Sequence, residues 1–191
     1  MQRIIYSIII ALVITAGAVS LGEAGGEMQN GILRLHIVAD SDSERAQEVK
    51  LKVRDAVLQN VSLGDEDFLE KAEEEANRVL EENGEGYEAE AYYGKFYFPA
   101  KEYSGITLPA GDYYGVRLVL GNGAGRNWWC IMYPPMCAVS ENEMELKKSS
   151  EKILQRTLSP GSYELITGSG EKIKIRFKTV EIIQAIKRLL S

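Results

Sequence analysis

The sequence predicts an α+β fold in which an antiparallel sheet carries helices on one face. Three observations lead there. Several short segments alternate apolar and polar residues with a period of two. Other segments place apolar residues at three- and four-residue spacing. Glycine-rich turns then join neighbouring strand-like segments. There is no internal repeat and no low-complexity linker, so one domain over residues 30–191 is expected behind an N-terminal segment of residues 1–24.

The first strand is read at Ile32–Ala39, where Leu33, Leu35 and Ile37 alternate with Arg34 and His36. Asp40-Ser41-Asp42-Ser43-Glu44 opens a helix, with Ser41 and Glu44 at capping-box spacing. That helix runs to about Gln59 on a stripe of Val49, Val53, Ala56 and Val57, with Lys50, Lys52 and Arg54 facing outward or snorkelling. Gly64 breaks the chain before a helix from about Asp65 to Glu82, striped by Phe68, Leu69, Ala72, Ala76, Val79 and Leu80 and stopped at Asn83-Gly84. Tyr87–Phe98 reads as a long strand, Leu108–Gly111 as a turn and Asp112–Leu120 as a strand with Val116, Leu118 and Leu120 on one face. Gly121–Gly125 is expected to turn that strand into an antiparallel hairpin with the tryptophan-bearing segment that follows. Glu141–Thr157 reads as a helix stopped by Ser159-Pro160-Gly161. Tyr163–Ile166 and Lys172–Lys178 read as a second hairpin, and a last helix starts at Thr179 with Val180, Ile183, Ile186 and Leu190 on one side.

The N-terminus bears on compartment. Arg3 is the only charge before Glu23, Ile4–Val19 is almost wholly apolar, and Ala16-Gly17-Ala18 follows the A-x-A pattern of a leader exit. The run is short for a spanning helix, which needs about 20 apolar residues. A cleaved signal peptide and an uncleaved membrane anchor both remain open, and either carries the following residues across a membrane. The roughly 165 residues that remain, with 45% hydrophobic content over the whole chain, are enough for a packed core. A net charge of −6 argues against a nucleic-acid binder. The acid is concentrated: Asp65–Glu90 holds twelve carboxylates against Lys71 and Arg78, a local net of −10 that leaves the rest of the chain at +4. A solvated helix face accounts for such a run, with an acidic docking surface as the alternative.

The stretch Asn127–Cys137 holds both tryptophans, both cysteines and two of the five prolines. Adjacent Trp128 and Trp129 on a strand point to opposite faces, and Pro134-Pro135 ends the strand or confines it to an edge. The segment reads either as a core strand running into a stiff loop or as a rigid aromatic contact formed by Trp128, Trp129, Tyr133 and Met136. In an exported protein Cys130 and Cys137 can oxidise. Their C-x6-C spacing fits neither a C-x2-C zinc site nor a redox centre. A turn through the prolines could pair them, and two buried thiols are the alternative.

Candidate chemistry is sparse. The single histidine, His36, lies inside a strand, and there is no G-x-S-x-G elbow. Asp40, Asp42 and Glu44 hint at calcium, yet Arg45 stands where an EF-hand needs glycine and Leu51 where it needs glutamate. Gly121, Gly123 and Gly125 lack the Lys-Ser/Thr and helix of a phosphate loop. No metal, cofactor or catalytic set is expected. A secreted hydrolase would need His36 to meet Asp40 or Asp42 in a cleft, and a passive envelope module would bind glycan or membrane.

Four stretches carry a family likeness: Leu33–Ser43, Leu51–Val57, Leu108–Tyr113 and Gly125–Cys137, the last with its Asn-Trp-Trp-Cys block and Pro-Pro-Met-Cys ending. With them the chain resembles the stage II sporulation protein R family, secreted intercompartment signals of endospore-forming bacteria. The likeness is close over about Ile32–Cys137 and loose in the tail, where Ile175–Lys178 is similar to the family's closing strand; Met144–Gly170 matches least. The resemblance implies export across the forespore membrane into the intermembrane space. It implies as partner a membrane-embedded aspartic protease of the mother cell, which matures the sigma factor E precursor. No catalytic residue set comes with the resemblance, so none is carried over.

Overall fold

The structure is a computed structural model that describes residues 2–103, 106–137, 143–168, 178, 179, 181, 182 and 186. The α+β class read from the sequence is the class observed. The chain divides into two compact units, one of Met1–Gly31, Tyr97–Tyr113 and Glu151–Ser191, the other of Ile32–Phe96 and Tyr114–Ser150. In chain order the elements are α1 (Gln2–Gly31), β1 (Leu33–Val38), α2 (Glu44–Asn60), α3 (Phe68–Glu82), β2 (Ala89–Phe98), β3 (Lys101–Tyr103), β4 (Ile106–Leu108), β5 (Gly111–Leu120), β6 (Asn127–Tyr133), α4 (Glu143–Thr157) and α5 (Pro160–Thr167).

The second unit is built on a four-stranded sheet of order β2-β5-β1-β6. β1 lies parallel to β5 and antiparallel to β6. The expected β5–β6 hairpin is therefore not formed, because β1 sits between the two strands. β1 is buried on both faces from Arg34 to Val38 and needs a neighbour on each side. Gly121–Arg126 accordingly steps over the end of β1, across about 9.6 Å of two strand spacings. A tight two-residue turn cannot reach that far. Gly121 and Gly123 supply left-handed backbone for the step, at φ 55° and 59°.

One face of the sheet carries Leu35 and Ile37 of β1, Val116, Leu118 and Leu120 of β5, and Cys130 and Met132 of β6, packed into one core with the helices. α2 contributes Val49, Val53 and Val57 to it, and α3 contributes Ala72, Ala76, Val79 and Leu80. These are the predicted stripes, with Ala56, Phe68 and Leu69 only partly buried. The N-cap of α2 is Ser43, whose Oγ accepts from Ala46 N at 3.2 Å, and not Ser41. Lys50 does not face outward. It is buried, and its Nζ donates to Gln47 Oε1 at 2.6 Å and to the Arg126 carbonyl at 3.0 Å. α3 ends as expected: Gly84 adopts φ 68°, and Glu85 N donates to Leu80 O at 3.0 Å.

The first unit holds the β3–β4 hairpin and α5, which packs against α1 and β4. Phe98 and Tyr113 meet edge to face at 6.1 Å, and Tyr113 Oη donates to Pro109 O at 2.8 Å. Tyr163–Ile166, expected as a strand, is part of α5. Ser159 caps that helix and Pro160 opens it, so the Ser-Pro pair read as a stop is also a start. Residues 172–177 of the expected closing strand lie outside the described residues, as do Val180, Ile183 and Leu190. Lys178, Thr179, Glu181, Ile182 and Ile186 are helical. In α1 the side chains of Ile4, Ile5, Ile8, Ile9, Ile10 and Leu12 are exposed. Among the described residues no helix is long and apolar enough to cross a membrane.

Candidate functional site

The segment singled out by its tryptophans forms β6, an edge strand among the described strands. Strand alternation sends its side chains two ways. Trp128 faces the helices, partly buried against the core, with the Arg54 guanidinium 5.1 Å from its ring centroid. Trp129 faces the other side and stacks on His36, which lies directly across in register, at 3.7 Å and 18°. The two rings are therefore not a single tip. Tyr133 is 43% exposed at the end of the strand, and the chain then turns through buried Pro134 and exposed Pro135 to half-buried Met136.

That turn is held at both ends. Met136 N donates to Ile131 O at 3.1 Å. Ser150 of α4, fully buried, donates through Oγ to Pro135 O at 2.5 Å. The fold brings Cys130 and Cys137 together with Cα atoms 5.6 Å apart, inside the range a disulfide requires.

At the other end of β6, the loop before Asn127 is fastened to the segment after β1. Asp40 Oδ1 accepts from Asn122 N and Nδ2, both at 2.9 Å. Asp42 Oδ1 accepts from Arg126 N at 2.8 Å. Ala124 N donates to Asp40 O at 3.0 Å and Gly125 N to Ala39 O at 2.9 Å. The two aspartates that resembled calcium ligands are thus loop fasteners. Among the described residues no group of three or more His, Cys, Asp or Glu is placed to hold a metal.

His36 is 6% exposed, and its Nε2 donates to Asn127 Oδ1 at 2.7 Å. Burial lowers its pKa to about 4; the Asn127 hydrogen bond opposes this, and the Arg117 and Arg34 charges add to it. The imidazole is neutral near pH 7. A group whose folded pKa lies below its unfolded value of about 6.5 loses stability as pH falls. Stability is expected to drop by on the order of 2–3 kcal/mol between pH 6.5 and 4 from this group. Urea unfolding of wild type and His36→Gln across that window checks it: the variant's slope against pH should be shallower. Equal slopes would refute the assignment.

A second surface feature lies on the acidic stretch. Glu73, Glu74, Glu81, Glu85 and Glu88 line an open groove of about 780 Å³ that Arg78 also borders. Part of this acid is internally committed: Glu73 Oε2 accepts from Ala91 N at 2.7 Å, and Glu85 Oε1 accepts from Arg45 Nε at 2.7 Å.

Comparison with known proteins gives a consistent result. A family model described as stage II sporulation protein R matches residues 29–143, which include β1, the Asp40–Ser43 segment, β6 and the proline turn. Stage II sporulation protein R of Bacillus subtilis (strain 168) is 30% identical over 163 residues, covering 74% of this chain and 70% of that protein. No solved structure matches the chain. The chain belongs to the stage II sporulation protein R family, a family of sporulation proteins.

Proposed function

We propose that the chain is an exported signalling ligand without catalytic activity of its own. It crosses the forespore membrane into the intermembrane space and activates the membrane-embedded aspartic protease of the mother cell, which then matures the sigma factor E precursor. Family membership supports the sporulation role. The observation that carries the ligand reading is the braced turn after β6, where Tyr133 stands exposed and Ser150 and the Ile131 carbonyl hold the following residues. A ligand activates a protease only by binding its active state more tightly than its inactive one. A rigid aromatic anchor does so without a large ordering cost. Trp128, Trp129 and Met136 complete the proposed contact, the two rings by stiffening the strand beneath Tyr133.

The hydrolase reading loses its parts. His36 is stacked under Trp129 and bonded to Asn127, while Asp40 and Asp42 are bonded to the loop. Co-purification from membranes with the protease tests the ligand reading. Tyr133→Ala is expected to weaken capture about 30-fold, equivalent to about 2 kcal/mol, with an unchanged melting curve. Full sigma-factor processing by a folded Tyr133→Ala protein would count against Tyr133 as the anchor.

The cysteines are proposed to bridge after export, stabilising the turn by about 2.5 kcal/mol on the chain-entropy account. Intact-mass measurement of exported protein should show no alkylation of Cys130 or Cys137 until reductant is added. Two modified thiols without reductant would end the proposal.

A further inference from the structure

We propose that β2 is a self-association edge: two copies of the chain pair antiparallel through Tyr93 and Lys95, joining their sheets into one. The proposal depends on neither the export reading nor the protease reading. Hydrogen bonds identify the outward edge of the strand. Gly121 N donates to Glu88 O at 2.9 Å, so Glu88 and every second residue after it turn their backbone toward β5. The residues between them face outward, and α3 closes off the first two. Asn77 Oδ1 accepts from Ala89 N at 2.7 Å, and Asn77 Nδ2 donates to Ala89 O at 3.2 Å. Glu73 Oε2 accepts from Ala91 N at 2.7 Å. The next outward residues are Tyr93 and Lys95, and among the described residues no bond reaches their outer edge. A bare edge of this kind is a template for another strand.

The open stretch is already ordered, so pairing costs little conformational freedom. Tyr93, 53% exposed, stacks on Tyr114 at 6.0 Å and meets Phe68 edge to face at 6.1 Å. Lys95 Nζ lies 4.7 Å from the Tyr114 ring centroid.

The occupant is a second copy because the edge is complementary to itself in charge. It carries the Glu73 carboxylate at one end and the Lys95 ammonium at the other, and an antiparallel copy reverses that order. One register serves. Lys95 opposite Lys95 sets like charges together. Tyr93 opposite Tyr93 sets Lys95 against Ala91, whose amide Glu73 already holds. Tyr93 opposite Lys95 avoids both. It also puts each Lys95 diagonally across from Ala91 of the second copy, within reach of the carboxylate that caps it. Gly94 then lies on the two-fold axis, opposite Gly94 of the second copy, with Cα atoms about 4.5 Å apart in a non-hydrogen-bonded pair. β6 is the far edge of the sheet, so this pairing leaves the Tyr133 turn of each copy uncovered.

The test uses the full chain in mild detergent, because the apolar side chains from Ile4 to Leu12 are exposed. Sedimentation equilibrium into the high micromolar range should show a monomer–dimer equilibrium. Lys95→Glu, which faces Glu73 of the second copy, should weaken the dimer about tenfold or more. Lys95→Pro removes an outward N–H and leaves the β5 side intact, so it should abolish the dimer with little change in the melt. A dimer that ignores both variants is held elsewhere, through α1 for example, and overturns the proposal, as does a chain that stays monomeric throughout.

A cysteine scan fixes the register whatever the Lys95 variants do to folding. A Cβ at Gly94 would meet only Phe96 Cζ at 3.7 Å, so cysteine fits there. With oxidised glutathione as oxidant, Gly94→Cys should form a covalent dimer on a non-reducing gel, since its Cα spacing suits a disulfide. Lys95→Cys should not, and wild type serves as the blank for Cys130 and Cys137. Cross-linking by Lys95→Cys in place of Gly94→Cys, or by neither, overturns the pairing.

Discussion

Replacing Gly125 with alanine is expected to cost about 3 kcal/mol or more and to lower the melting temperature by about 6–12 °C. A Cβ on Gly125 would lie 2.5 Å from the carbonyl carbon of Ser41 and closer still to its oxygen, with Ala39 Cβ at 3.0 Å. The obstacle is backbone and cannot rotate aside. To relieve it the loop must lift from the end of β1. That motion breaks Gly125 N to Ala39 O and Ala124 N to Asp40 O, and strains the Asp42–Arg126 bond. It also withdraws the Arg126 carbonyl from buried Lys50 Nζ, whose charge burial already disfavours. Gly84→Ala is the matched control. Gly84 has a positive φ of 68° with open space around it, so only backbone strain of about 1–2 kcal/mol is expected there. Thermal melts of both variants decide the matter. A Gly125→Ala protein melting within 2 °C of wild type, on the order of the shift from a surface change, would show that the loop is not fastened to Ser41 as described.

The same loop shows what the sequence could and could not reveal. The strands and helices were legible because periodicity is local: Leu35 and Ile37 on one face of β1, or Val49, Val53 and Val57 along α2, follow from spacing alone. Strand order is not local. Gly121–Gly125 carries the composition of a hairpin turn, and nothing within it says that a third strand will occupy the gap it spans. Asp40 and Asp42 are similar. Their side chains answer amides 82 and 84 residues away, so from their own surroundings they read as helix-cap or calcium residues. Lys50 reads as an outward-facing or snorkelling lysine for the same reason, because the Arg126 carbonyl that receives it is 76 residues distant. Tyr163–Ile166 failed differently. Ser159-Pro160 is a legitimate helix start, and the short apolar run after it is equally compatible with strand and helix. Of the proposed contact, the Asn-Trp-Trp-Cys composition marked the segment. Which ring was exposed depended on the partner strand, since pairing with β1 places Trp129 over His36.

Trp129→Ala is expected to cost about 3 kcal/mol of stability, the lower end of the range for removing a large aromatic, because the ring is partly exposed. The melting temperature should fall by about 6–12 °C. The loss is of fold first, since the ring covers His36 on the sheet face opposite α2 and α3. A second readout separates this from a lost partner contact. With the ring gone, water reaches the imidazole, and the burial that depresses the His36 pKa to about 4 is relieved. The pKa should rise toward 6.5, and the acid-sensitive window of stability should narrow from its lower edge. A ring that only touched a partner would leave both the melt and the histidine titration of the isolated protein unchanged. Trp128→Ala should also destabilise, since its ring packs on the core beneath Arg54, but without moving the His36 titration. Tyr133→Ala should change neither. The three variants therefore assign the three aromatic residues separately: Trp129 by melt and titration, Trp128 by melt alone, Tyr133 by partner binding alone. A Trp129→Ala protein with a wild-type melt, a wild-type histidine titration and abolished sigma-factor processing would move the contact from Tyr133 to Trp129.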